Sequence, residues 1–128
     1  MEIILTHDAE HDVWTIGHVD VQLRSAKSVS EWRRIVLSKL EAHVSDKVDL
    51  LIDLHGFEIE PSFADAYGRV SHEIRRRFAR SVIRYGPEGK FTSASIRLQS
   101  IRNGQASMIF ASRDEALTAL RTIRQHAS

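Results

Sequence analysis

With 128 residues, the chain has the length of one compact domain, because two separate cores of half that size would each be marginal. Hydrophobic residues at 42% and charged residues at 27% exclude disordered, collagen-like and coiled-coil chains, and a cysteine count of 0 excludes disulfides, thiolate metal sites and a cysteine nucleophile. The net charge of +1 hides a split, since residues 1–68 carry 6 Lys/Arg against 13 Asp/Glu while residues 69–128 carry 12 against 4.

The first residues, Met1 to Asp8, place an acid where a secretion signal needs positive charge, and their apolar run is too short for its hydrophobic region. A cytoplasmic protein with no transmembrane segment is expected, as Val48 to Leu54 falls far short of the roughly 20 apolar residues that span a bilayer. Ile3-Ile4-Leu5 and Val13-Trp14-Thr15-Ile16 are β-branched and aromatic segments joined by six polar residues, which predicts an antiparallel hairpin. Val19, Val21 and Leu23 either prolong the second strand or form a short third one.

Ser28 and Glu31 stand at capping-box spacing, so a helix is expected to start there, with Val29, Trp32, Val36 and Leu40 inward. Val48 to Leu54 follows as a strand buried on both faces. After Pro61, the residues Phe63, Tyr67, Val70, Ile74 and Phe78 recur at steps of four, three, four and four, which predicts a helix running from Ser62 to Arg80. Ser81 to Tyr85 is a short strand, Phe91 to Arg102 a third helix stopped by Asn103-Gly104, and Ser107 to Phe110 a further strand. Ser112 and Glu115 form a second capping box before a last helix with Ala116, Leu117, Leu120 and Ile123 inward.

The order β-β-α-β-α-β-α-β-α predicts a single α/β domain over residues 1–128, with a mixed, mostly parallel sheet, an N-terminal β-hairpin and four helices. Strands that alternate with helices need crossover connections, which sets at least the last three strands parallel.

Three stretches, Leu50-Leu51-Ile52-Asp53-Leu54-His55-Gly56, Arg80 to Gly86, and Met108 to Leu117, resemble the STAS-like family typified by bacterial anti-sigma-factor antagonists. Within it, the chain more closely resembles the small SpoIIAA-like branch related to CRAL-TRIO lipid-transfer domains. The resemblance implies a STAS-like fold and a partner-binding or ligand-binding role. In the antagonists an Asp-Ser-Ser-Gly motif before the helix carries a phosphorylated serine. The matching stretch here, Glu60-Pro61-Ser62-Phe63-Ala64, keeps one serine and lacks the Asp, the second Ser and the Gly.

Ser62 has two readings, a regulatory serine whose phosphate would meet the helix amides, or a plain N-cap. Phe63, Asp65, Arg69, His72, Arg76 and Arg80 form a candidate partner surface, with Asp65–Arg69 and Arg69–Glu73 set to pair at i, i+4. His55, Glu58 and Glu60 follow a parallel strand, where open α/β sheets bind ligands, and form a candidate ligand loop or a solvated polar turn. His7 and His11 among acids lie in a turn, where helical ligand spacing does not apply, so no metal is expected. Gly86 to Thr92 has the residues of a phosphate loop at the wrong spacing.

No nucleophile motif is present, no cofactor is expected, and the basic residues lack the interleaved aromatics of a nucleic-acid surface. The first reading is a non-enzymatic regulatory or protein-interaction domain that binds a protein partner or self-associates, as a homodimer for instance, with peripheral lipid contact left open. The alternatives are a small-ligand or lipid-binding module with a cavity lined by Trp32, Phe63 and Tyr67, and a small α/β enzyme using His55, Glu58 and Glu60.

Overall fold

The computed structural model describes residues 1–87 and 109–126. In chain order the elements are β1 (Glu2–Asp8), β2 (Val13–Val19), β3 (Val21–Leu23), α1 (Ala26–His43), β4 (Val48–Asp53) and β5 (Phe57–Ile59). They continue with a 3₁₀ turn (Pro61–Phe63), α2 (Ala64–Phe78), β6 (Ala79–Tyr85), β7 (Ile109–Phe110) and α3 (Arg113–His126). The helix expected over 91–102 and the glycine-rich turn before it lie outside the described residues, apart from Gly86 and Pro87. The class is the expected α/β one, with three α-helices among the described residues.

One five-stranded sheet has the order β1-β2-β4-β6-β7. β1 and β2 form the antiparallel hairpin, from Glu2 opposite Val19 to Asp8 opposite Val13, and all other pairings in the sheet are parallel. Val21–Leu23 does not prolong β2, since Asp20 turns the chain at φ 50. It becomes β3 and pairs in parallel with β5, a three-residue strand without the length or periodicity to be expected from sequence.

Gly56 lies in the turn before β5 at φ +71, and a Cβ there would stand 2.5 Å from the carbonyl oxygen of His18. Only glycine fits both constraints.

Among the described residues, two cores flank the sheet. On one face α1 and α2 bury Trp32, Leu40, Tyr67 and Ile74 against Ile16, Leu50 and Ile52. On the other, α3 buries Ala116, Leu117 and Leu120 against Val13, Leu51 and Ile83, with Phe110 half-buried beside them. β4 feeds both cores through alternate residues, which is why its sequence is nearly continuous in apolar residues. Ile123, expected inward, is exposed.

The caps differ in detail from the sequence spacing. Ser25, not Ser28, is the N-cap of α1, and Ser28 is its capping-box partner, so the helix starts earlier than the Ser28–Glu31 spacing indicated. At α3, Ser112 accepts from the Glu115 amide at 3.2 Å as expected, while the Glu115 carboxylate takes the amide of Ala111. Among the described residues, no helix is long and apolar enough to cross a membrane.

Candidate functional site

α1 and α2 lie side by side on one face of the sheet and are tied across their outer surfaces by charge. The Arg33 guanidinium donates two bonds of 2.8 Å to the Glu73 carboxylate, and Arg77 reaches Glu41 at 2.7 Å. Hydrogen bonds from Arg33 hold the Glu73 carboxyl below its ordinary range. Between the first halves of the two helices runs a groove of about 630 Å³. Buried Val29 and Val70 and half-buried Phe63 and Ala66 line it, with Ser30, Ser62, Asp65 and Arg69 exposed around them.

The sequence candidates divide over this surface. Ser62 is exposed in the middle of the 3₁₀ turn and does not cap α2, whose N-cap position is Phe63 with no side-chain bond. The N-cap reading is therefore replaced by an exposed hydroxyl on the rim of the groove. Phe63, Asp65 and Arg69 line the groove with it, while His72 and Arg76 are exposed farther along α2.

Arg80 is not on the helix, because α2 ends at Phe78 and Arg80 belongs to β6, its guanidinium 3.5 Å from Asp49. The expected Arg69–Glu73 pair gives way to Arg33 and Arg77 on Glu73. Glutamate four residues before arginine is the better orientation, and Arg33 adds a forked contact from α1.

Behind the groove the aromatic residues are packed on one another. Trp32 and Tyr67 stand 5.2 Å apart by ring centroid, Phe57 lies within 6.1 Å of both, and His18 stands 4.9 Å from Phe57. Trp32 and Tyr67 are thus core residues filling space, which corrects their place as a cavity lining. The buried Arg84 guanidinium donates to the Tyr67 hydroxyl at 3.2 Å.

His18 is buried and bonded at both ring nitrogens. Its Nδ1 lies 2.7 Å from the Asp53 carbonyl oxygen and must donate there, so Nε2 accepts from the Trp32 indole N–H at 3.2 Å. That bonding fixes a neutral imidazole, and burial holds its pKa below the ordinary 6.5.

The unfolded chain binds this proton at the ordinary value and the folded chain resists it. Stability from His18 is therefore complete above about pH 6.5 and declines as pH falls from there toward the folded pKa. Urea unfolding at pH 7.5 and 5.5 should show lower stability at 5.5, and His18→Gln should shrink that difference. An unchanged difference in the variant would assign the loss to other groups.

The ligand loop does not converge. His55 Nδ1 lies 2.6 Å from Asp53, the exposed Glu58 faces Arg24 at 3.7 Å, and Glu60 uses its backbone to join Leu23 and Phe63. At the hairpin turn, donor atoms of Asp8, Glu10 and His11 lie within 4.8 Å of one another. The Asp8 carboxylate is already engaged by the His11 ring at 2.8 Å and by Arg113 at 3.0 Å, and hydrogen bonds led by His11 pull its pKa down to about 2. This cluster fastens α3 to the hairpin.

Sequence reasoning missed a buried ion cluster on the α3 face. The Asp49 side chain is only 7% exposed. It accepts from Ser81 at 2.7 Å and from two nitrogens of Arg124 at 3.0 and 2.7 Å. The signal was an aspartate inside the apolar run of β4, since a carboxylate buried there needs a cation.

The sequence matches no protein-family model and no curated protein. In structure the chain is similar to a variant of RsbS from Moorella thermoacetica in which a serine is replaced by glutamate. The TM-score is 0.63 at 13% sequence identity, over 98% of this chain and 99% of that one. RsbS is a STAS-domain protein, and with the strand order and helix placement above, the chain has a STAS-like fold.

Proposed function

We propose that this chain is a non-enzymatic regulatory domain that binds a protein partner along the groove between α1 and α2. The observation that carries the reading is that groove itself. It sets apolar Val29, Val70 and Phe63 beside the exposed Ser62 hydroxyl and the Arg69 guanidinium. Partner sites commonly combine an apolar centre with a polar rim in this way. The structural similarity to RsbS, a STAS regulatory protein, supports the same class of role. Close packing of Trp32, Phe57 and Tyr67 favours it over a lipid-binding cavity at those rings.

Ser62 is the proposed point of control, because a phosphate there would set negative charge beside Asp65 and Arg69 at the groove's rim. The Arg residues on the outer face of α2 are proposed to steer an acidic partner. The charge test uses Arg69 and Arg76 and leaves Arg80 untouched, since a glutamate at position 80 would face buried Asp49.

In the test, wild type, Ser30→Arg and the double variant Arg69→Glu/Arg76→Glu are immobilised and the proteins retained from a cell extract are compared. All three should keep their stability within about 0.5 kcal/mol, as exposed substitutions do. Ser30→Arg should lose the partner by filling the groove, and the double variant should associate more slowly with most of its salt dependence gone. Equal retention with equal salt dependence in all three proteins would sink the groove as the binding site.

A further inference from the structure

We propose that the chain forms a two-fold homodimer in which β1 of one copy pairs antiparallel with β1 of another, in the register that sets Ile4 opposite Ile4. This interface is independent of the groove between the helices.

β1 is the end strand of the five-stranded sheet, and among the described residues no strand pairs with its outer edge. Alternate residues of such a strand turn their N–H and C=O groups away from the sheet, where another strand can take them up. Proteins commonly blunt an edge with a very short strand, a bulge, a proline or a lysine. β1 has none of these, for it runs 7 residues, EIILTHD, in continuous register with β2. Its two acids, Glu2 and Asp8, stand at its ends.

Exposed apolar side chains gather at the same edge. Of the four large hydrophobic residues exposed among the described residues, Met1, Ile4 and Val19 lie here, at 41%, 43% and 44% exposure. Gly17 stands opposite Ile4 and Val19 opposite Glu2, so Ile4 and Val19 share one face with no side chain between them.

The occupant is a second copy because the edge complements itself. Side chains on the two strands must match face to face, so the two-fold axis passes through a residue position. Centring on Leu5 would set Glu2 of each copy against Asp8 of the other, two like-charge contacts that disfavour pairing. Centring on Ile4 sets Glu2 against Thr6 and Ile3 against Leu5 within the strand, and Met1, just before it, against His7. It also covers Ile4 and Met1 together.

The chain has no cysteine, so an introduced thiol reports this geometry alone. Directly opposed residues hold their Cβ atoms about 4.5–5.5 Å apart, close to the separation a disulfide needs. Ile4→Cys should give a covalent dimer as the main product of mild oxidation. Thr6→Cys should form no covalent dimer, because its two thiols would lie about 13 Å apart along the strands.

Sedimentation of the untagged chain should show a concentration-dependent dimer, and Ile4→Lys should shift it to monomer with an unchanged circular dichroism spectrum. A wild type that sediments as a monomer across its soluble range would overturn the proposal. So would equal cross-linking of the two cysteine variants, or an Ile4→Lys protein that still dimerises. The groove variants Ser30→Arg and Arg69→Glu/Arg76→Glu should dimerise as wild type does, which separates this interface from the partner site.

Discussion

Replacing Trp32 by alanine is expected to cost ~3–5 kcal/mol of unfolding free energy, the largest loss from any single substitution considered. Trp32 is fully buried at the centre of the core between α1, α2 and the sheet. Its ring contacts those of His18, Phe57 and Tyr67, so truncation empties a site walled by rings that cannot all collapse inward. The indole N–H also supplies the bond to His18 Nε2, which alanine would leave buried and unmet.

Trp32→Phe separates these contributions. It keeps most of the apolar volume and loses the N–H, for an expected ~1–3 kcal/mol. Denaturant unfolding followed by far-ultraviolet circular dichroism measures both. If Trp32→Ala costs no more than Trp32→Phe, the cavity contribution is wrong and the ring is not walled in as described.

Arg124→Ala is the second large effect, expected at ~3 kcal/mol, the lower end for breaking a buried ion pair, because the Arg124 side chain itself is 37% exposed. Its loss would strand the buried Asp49 carboxylate with Ser81 at 2.7 Å and a distant Arg80 at 3.5 Å. It would also free the carbonyls of His11 and Asp12, which Arg124 binds at 2.6 and 2.7 Å, so α3 would lose its hold on the hairpin turn.

The double variant Asp49→Asn/Arg124→Ala should be less damaging than the two single losses added together, since an amide carries no charge to strand. Strict additivity in that cycle would mean the two groups are not coupled.

Spacing placed Trp32 on an inward face, but neither its ring partners nor the Arg124–Asp49 pair was readable from it, and the reason bears on the whole molecule. Local periodicity reports which face of an element is apolar. The stripe Phe63, Tyr67, Val70, Ile74, Phe78 therefore predicted α2, and the nearly unbroken apolar run from Val48 predicted a strand buried on both sides. The hairpin, the parallel arrangement of β4, β6 and β7, the capping serine at 112 and the α/β class followed from the same kind of signal.

The candidate site was legible only in part. Phe63, Asp65, Arg69 and Ser62 were identified from one helix, but the groove also needs Val29 and Ser30 from α1, which nothing in the α2 sequence can indicate.

The kind and order of the longer described elements were legible along the chain, because helix and strand periods are set by the backbone over a few residues. Which charged and polar groups meet across different elements follows from the packing instead. Arg124 meets Asp49 across 75 residues, Arg33 takes Glu73 across 40, and Trp32 of α1 meets His18 of β2 across 14. The same holds for β5, three residues long and too short to show a period, which forms because its backbone is brought beside β3. A hydrogen bond or ion pair depends on distance in space, and chain separation fixes that distance only within a single element.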